Sequence, residues 1–334
     1  MIDFRYHIVS LISVFIALAV GIALGAGPLK ETIGDSLTGQ VDQLRQDRDG
    51  LRTNLTAAQT AQANQSTYLA AAAPRLLDGA LADRRVAVVT LGPVDKDVTA
   101  AVAKQLKASG ATVSAQVAVT DSWGDSSLRS FRQALAGNLA TYLKPAPAKD
   151  ASTETELAEA LVQGLTTSDA SSPDKLAESA SLMLQLLADA DSNLITVADA
   201  VKAPADDVVI LTASDLKDKT ATAAADDVVA SQVAIAKAAA ARSEGSVVAD
   251  TNATSGDVVS TILADDTLAK SLTTVTGVND VTGQVSVPLA LNTTITGVAG
   301  GHYGFGDGEK AFPRAGHLPL LDRAKAAAGK VAQG

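Results

Sequence analysis

The first apolar stretch of the chain is long enough to cross a membrane. Residues 8–27, IVSLISVFIALAVGIALGAG, contain no charged side chain. At about 1.5 Å per residue, a helix of this length spans the roughly 30 Å hydrocarbon core of a bilayer. We therefore predict a plasma-membrane anchor at residues 1–28, and a small charge bias places the N-terminus in the cytoplasm. A cleaved signal peptide is the alternative, because small residues end the stretch.

Small residues recur every four positions within this stretch. Ala17, Gly21 and Gly25 form the pattern that lets the backbones of two membrane helices approach closely. We therefore predict helix packing in the bilayer through these three positions. The alternative is simple composition, because glycine and alanine are common in membrane helices.

The next segment has apolar positions spaced alternately four and three residues apart. This spacing is that of the a and d positions of a coiled coil. The other faces are polar, so the apolar stripe requires a helical partner. We predict a coiled-coil helix over residues 29–73 that binds a protein partner, and a homodimer is one candidate. A single spacer helix folded back on the following domain is the alternative. The predicted contact residues are Leu37, Val41, Leu44, Arg48, Leu51, Leu55 and Ala58.

Short β-branched runs alternate with helical spacing in the rest of the chain. A strand at residues 84–92, a helix at 95–110 and a second strand at 111–120 form a βαβ unit. This unit predicts an α/β fold with a doubly wound, mostly parallel sheet. Pro74 is expected to end the preceding helix. Further strands are predicted at 207–212, 246–249 and 273–276. The predicted extracytoplasmic α/β domain covers 74–306, and a flexible basic tail covers 307–334.

The composition of the chain and the absence of known motifs argue against several classes of function. With 27 Lys and Arg against 37 Asp and Glu, the net charge is −10, which argues against nucleic acid as a partner. There is no cysteine, so thiolate metal sites and cysteine nucleophiles are excluded. The phosphate-binding glycine motifs and the G-x-S-x-G elbow are also absent. We therefore predict no enzymatic activity, no catalytic residue and no cofactor. An enzyme with an unrecognised acidic site is a distant alternative, which a ligand bound beside residues 92–95 would favour.

Three segments resemble one protein family. They are residues 1–29, MIDFRYHIVSLISVFIALAVGIALGAGPL, residues 104–123, KQLKASGATVSAQVAVTDSW, and residues 278–306, VNDVTGQVSVPLALNTTITGVAGGHYGFG. The chain resembles the actinobacterial copper transporter family named for mycobacterial copper transport protein B, MctB. The resemblance covers residues 1–306. The opening and the GHYG motif are its specific parts.

The resemblance implies two alternative functions. One kind of member is described as an outer-membrane channel protein of copper efflux. A relative called SteB is described as an extracytoplasmic component that works with the membrane protein SteA in cell separation, where its coiled coil influences a peptidoglycan hydrolase.

The predicted span and the composition of this chain help to distinguish these two functions. A pore requires several spanning helices or a closed barrel, and one span is predicted here. Copper handling favours cysteine, methionine and histidine, which are scarce. We therefore expect a non-catalytic, SteB-like scaffold in the membrane. Its expected partners, a SteA-like membrane protein and a peptidoglycan hydrolase, would bind the coiled coil. The alternative is an MctB-type copper efflux component, with metal bound through His302 or His317 beside Tyr303, Asp307 or Glu309.

Overall fold

The computed structural model describes residues 4–26, 28–213, 223–251, 257–321 and 323. It divides into two compact units, Met1–Gln65 and Ser66–Gly334. The predicted anchor therefore lies within the description except for residues 1–3 and 27. Of the predicted basic tail, residue 322 and residues 324–334 lie outside it.

Two long helices supply the first unit. Helix α1 covers Phe4–Ala26 and helix α2 covers Pro28–Leu77, the latter reaching into the second unit. The large apolar side chains of α1 are exposed from Ile8 to Leu24. In an aqueous protein such a helix would be buried, so this exposed apolar surface fits a lipid environment.

The second unit is built around a mostly parallel sheet, whose order is β5-β2-β1-β6-β7-β8-β9. Among the seven described strands of this sheet, only β5, at one edge, runs antiparallel to its neighbour. The paired strands β3 and β4 form a separate hairpin. The strands described are β1 Arg85–Leu91, β2 Thr112–Val119, β3 Ser168–Asp169, β4 Ser172–Leu176, β5 Ile195–Val197, β6 Asp207–Thr212, β7 Ser246–Asp250, β8 Thr274–Val275 and β9 His302–Tyr303.

Helices cover both faces of this sheet. Alternate residues of β1 enter different core layers. Val89 packs in the layer on the side of α5 to α8, and Val88 packs in the layer on the side of α3 and α10. Strands covered on both faces read as continuous apolar runs, as in the DVVILT of β6. The helices are α3 Lys96–Ala108, α4 Arg129–Leu139, α5 Thr153–Thr166, α6 Glu178–Ala188, α7 Ala223–Arg242, α8 Val258–Ala264, α9 Asp266–Ser271 and α10 Val281–Ile295.

The predicted βαβ unit is confirmed. Strands β1 and β2 pair in parallel, with Val89 opposite Val117, and α3 connects them. Asp95 caps α3 by accepting a hydrogen bond from the backbone N–H of Asp97. Gly110 ends the connection with a φ of +90°, a conformation in which other residues are strained. The expected α/β fold with a mostly parallel sheet is therefore present.

The end of α2 differs from the prediction. We expected Pro74 to end the helix, but α2 continues through it to Leu77. The last turn is held by packing, because Ala73 and Leu77 are buried against Val285 and Leu289 of α10. This contact outweighs the backbone hydrogen bond that proline removes.

The chain reverses its direction of winding beside β1. From β1 it passes through α3 to β2 on one side, whereas β6, β7 and β8 follow on the other side. The space between the carboxyl ends of β1 and β6 is therefore a topological switch point. Open α/β sheets bind their ligands in the crevice at such a point.

Candidate functional site

Helix α1 has the length and composition of a membrane span. The segment Phe4–Gly25 has a mean hydropathy of 2.7 and fits a single-pass membrane protein. The predicted packing residues Ala17, Gly21 and Gly25 lie on it at four-residue intervals. A Cβ atom placed on Gly21 or Gly25 would meet nothing within 4 Å. The small-residue surface is thus free to receive another helix, and its packing partner stays a prediction.

Helix α2 displays the predicted apolar stripe in the open. Leu44 and Leu51 are 67% and 69% exposed, and Arg48 pairs with the neighbouring Asp49 rather than with another helix. All seven predicted contact residues are exposed, namely Leu37, Val41, Leu44, Arg48, Leu51, Leu55 and Ala58. The helix is therefore present with an uncovered stripe. The coiled coil itself is not shown and stays a prediction.

A cavity of about 520 Å³ opens at the switch point of the sheet. Its wall includes Gly92 and Pro93 after β1, Thr120 after β2 and Thr212 at the end of β6. Gly92 turns the chain out of β1 with a φ of +75°. The volume falls in the range of small-molecule pockets, which is about 300 to 1,000 Å³. This cavity is the candidate binding site that lies at the switch point of the sheet.

Three carboxylates line the cavity. Asp121 and Asp125 are exposed at its rim, and Asp257 is buried where α8 begins. Asp257 accepts a hydrogen bond from Ser260 N at 2.6 Å, and Asp125 accepts one from Ser127 N at 2.8 Å. Hydrogen bonds from Ser127 lower the pKa of Asp125, so its carboxylate stays charged. The cavity therefore presents negative charge to a ligand.

Trp123 lies at the wall of this cavity and of a second one. It is 3% exposed, and its indole Nε1 has no hydrogen-bond partner among the described residues. The second cavity measures about 770 Å³ and mixes charges, with Arg129 and Lys237 beside Glu154. A buried donor without an acceptor is unusual, because leaving one unpaired costs about 1 to 3 kcal/mol.

The residues considered as ligands for the copper alternative are either hydrogen-bonded within the protein or exposed on its surface. The ring of His302 is hydrogen-bonded on both sides, through Nδ1 to Thr274 Oγ1 at 2.9 Å and through Nε2 to the carbonyl of Ala269 at 3.0 Å. Since a carbonyl only accepts, Nε2 carries the proton and the Thr274 hydroxyl donates to Nδ1. Burial lowers the pKa of His302 and favours this neutral form.

The remaining predicted ligands do not converge on His302. Glu309 accepts hydrogen bonds from Thr276 Oγ1 and Gly306 N, both at 2.7 Å, while His317 and Asp307 are exposed. Among the residues that the structure describes, no group of three His, Asp or Glu side chains is arranged to hold a metal ion.

A buried charge cluster lies at the opposite, amino-terminal edge of the sheet. Arg84 pairs with Glu244, and Arg323 pairs with Asp206 at 3.0 Å. Asp207 is fully buried beside them, and burial raises its pKa well above the usual range. The segment after β9 thus binds the domain through Arg323 and through Gly316, whose N–H donates to Asn292 Oδ1 at 2.6 Å.

Sequence reasoning missed the groups that meet at the cavity. The turn after β1 was noted, but Trp123 and Asp257 lie 134 residues apart and meet only once the strand order is known. A single tryptophan in the whole chain is the one feature that could have drawn attention to this position.

Comparison with known proteins identifies the family. The family described as "Copper transport outer membrane protein, MctB" matches residues 1–313. Proteins named "Copper transporter MctB" from Mycobacterium tuberculosis and Mycobacterium bovis are each 29% identical to it over 92% of this chain and 98% of their own length. These names refer to copper transport and not to cell separation, so they support the alternative rather than our main expectation. Since the match begins in the apolar helix and includes the whole described sheet, the chain belongs to the MctB family.

Proposed function

We propose that this protein is a membrane-anchored component of copper transport that acts by binding partners and not by catalysis. The observation that supports this most strongly is the extent of the family match. It includes the apolar helix, α2 and the α/β unit together, so the protein shares the arrangement of relatives named as copper transporters. The copper function proposed for this chain rests on the names of these relatives.

The single apolar helix defines what such a component contributes. Backbone groups inside a bilayer must be hydrogen-bonded within the spanning structure, so one helix encloses no aqueous path. Helix α1 is the one candidate span among the described residues. In this proposal, copper crosses the membrane through an assembly that includes further copies of α1 or a separate channel protein. The chain anchors and organises this assembly.

The exposed stripe of α2 favours a second candidate function, that of a non-catalytic scaffold. Five large apolar side chains lie on one polar helix without cover, at positions Leu37, Val41, Leu44, Leu51 and Leu55. A helical partner would remove this surface from water at about 25 cal/mol per Å². Such a scaffold would place the α/β unit outside the plasma membrane and recruit cell-separation proteins. Its partners would be a SteA-like membrane protein or a peptidoglycan hydrolase.

A deletion strain separates the two functions. We expect loss of the gene to raise cell-associated copper and to lower growth at high copper, whereas cell-associated zinc stays unchanged. Complementation with the full chain should restore both copper measurements. Unchanged copper content and tolerance in the deletion strain would contradict the transport proposal. Chains of unseparated cells with normal copper would support the scaffold function instead.

A complementation series tests whether the anchor is needed. A variant in which Ile12 and Phe15 are replaced by Asp interrupts the apolar span, and charges at the centre of a membrane helix cost about 2.5 to 3.5 kcal/mol each. We expect this variant to be lost from the membrane fraction and to leave copper high. If it restores copper tolerance from outside the membrane, the anchored role is wrong.

A further inference from the structure

The cavity at the switch point has the position of a ligand site in its fold. It is formed where β1, β2 and β6 end, and α7 and α8 close it with Gln232 and Val258. Five separate parts of the chain therefore contribute to one space of about 520 Å³. The proposed role in copper transport makes no use of this space.

The charges of the cavity select the ligand. Asp121, Asp125 and Asp257 are the ionisable groups among its described lining residues. Arg132, a cationic side chain on the wall of the neighbouring cavity, donates from Nη1 to the carbonyls of Ser122 and Asp125. A cavity lined by one sign of charge attracts ligands of the opposite sign. An anionic ligand such as a phosphate would be repelled.

The uncharged part of the wall specifies the remainder of the ligand. Pro93, Val228 and Val229 supply apolar surface beside Trp123. Tryptophan is the aromatic side chain that attracts ammonium groups most strongly. Trp123 lines the cavity, whereas its indole N–H is buried out of reach of solvent. The aromatic side chain at the wall therefore favours a cation independently of the acidic groups.

We propose that this cavity binds a small organic amine, with its ammonium group at the carboxylates of Asp121 and Asp257 and an apolar body against Pro93, Val228 and Trp123. The α/β unit would then sense or present an amine-bearing compound of the envelope. This function is separate from copper and holds whether or not the copper proposal does.

The single tryptophan makes the test direct. Trp123 is the only tryptophan in the chain, so tryptophan fluorescence reports on its surroundings. Asp121 lines this cavity and not the second one, so its replacement assigns a fluorescence change to this site. The full chain in non-ionic detergent is titrated with L-phenylalaninol, a cation, and with 3-phenylpropane-1,2-diol, its neutral isostere. The anion L-3-phenyllactate completes the series. Calorimetry on the same samples detects binding that leaves the fluorescence unchanged.

We expect saturable binding of phenylalaninol, at least about tenfold tighter than binding of the diol, and no binding of phenyllactate. Replacing the exposed Asp121 by Asn should weaken phenylalaninol about fivefold and leave the diol unchanged. Asp266→Asn, at an exposed carboxylate of α9 outside the cavity, is the matched control and should change neither.

Three results would overturn the proposal. They are equal affinity for the cation and the diol, preference for phenyllactate, and absence of saturable binding in both measurements. An equal response of the Asp121→Asn and Asp266→Asn proteins to phenylalaninol would also overturn it, because the charge would then act from elsewhere. None of these results bears on cellular copper, so failure here is distinguishable from failure of the transport proposal.

Discussion

Arg84 forms an ion pair with Glu244 although the arginine side chain is only 1% exposed. It stands immediately before β1, and Glu244 follows α7, so the pair joins two elements that are distant in sequence. A second hydrogen bond runs from Arg84 Nη2 to the carbonyl of Pro319 at 3.3 Å. One guanidinium therefore fixes the start of the sheet, the end of a helix and the segment after β9.

Replacing Arg84 by Met should lower the free energy of unfolding by about 3 kcal/mol, since removing one partner strands a partly buried carboxylate. Urea unfolding of the full chain in detergent, followed by the fluorescence of Trp123, measures this change. The control is Arg129→Met, which breaks an ion pair between side chains that are 69% and 68% exposed. We expect a change of at most about 0.5 kcal/mol there. Equal effects of the two substitutions would show that burial of the Arg84 ion pair does not increase its contribution to the free energy of unfolding.

Asp207 should make the free energy of unfolding fall as pH rises, which is opposite to the usual effect of a carboxyl group. Burial raises its pKa in the folded state above the ordinary value of 3.8, so between these two values the folded chain holds a proton that the unfolded chain releases. The free energy of unfolding should therefore fall as pH rises through this window, by up to about 1.4 kcal/mol per pH unit.

The Asp207→Asn protein should lose this pH dependence, because the amide does not titrate. Urea unfolding of both proteins at about pH 5 and about pH 7 is the measurement. The variant should gain stability relative to the wild type at the higher pH. A parallel pH profile in both proteins would mean that Asp207 titrates as an ordinary carboxyl.

The long strands could be predicted from sequence because they carry their own pattern. Strands β1 and β6 are continuous β-branched runs, and their predicted bounds agree with the structure to within one residue. Strands β5 and β9 have three and two residues, too few for any periodicity. They are strands only because they pair with β2 and β8, respectively.

The candidate site could be predicted only in its location. An α/β pattern implies a crevice at the carboxyl ends of the strands, and residues 92–95 follow the first predicted strand at such an end. Its chemistry depends on which elements become neighbours. Asp257 caps α8, and it also lines the cavity. Similarly, His302 attracted attention as a metal ligand, whereas its ring is committed to Thr274 and Ala269.

The glycines of α1 should promote association of two helices in a bilayer. Isoleucine at Gly21 and Gly25 would keep the backbones apart, at a cost of about 1 kcal/mol and hence about fivefold in dimer fraction. Energy transfer between donor-labelled and acceptor-labelled full chains in liposomes measures this. The control carries isoleucine at Ala19 and Ala23, which lie on the opposite face of the same turns. If both variants associate like the wild type, the small residues form no packing surface and only reflect the usual composition of membrane helices.

The stripe of α2 should be the part of the protein that binds another helix. Leu44→Asp with Leu51→Asp places two charges on the exposed apolar face, where a partner helix would bury them. We expect association to weaken by at least about a hundredfold, since two unpaired buried charges cost several kcal/mol. Sedimentation of the full chain in detergent, alone and after co-purification from its own membranes, measures the mass of the complex.

The matched control for this stripe is Gln46→Asp with Thr53→Asp. It adds the same charge to the same turns of α2 but on the polar face, where both side chains are exposed. The control should keep the mass of the wild-type complex, and circular dichroism should show equal helix content in all three proteins. A complex that survives in the leucine variant would move the interface away from α2. A complex lost from both variants would indicate that net charge, and not the apolar stripe, determines association.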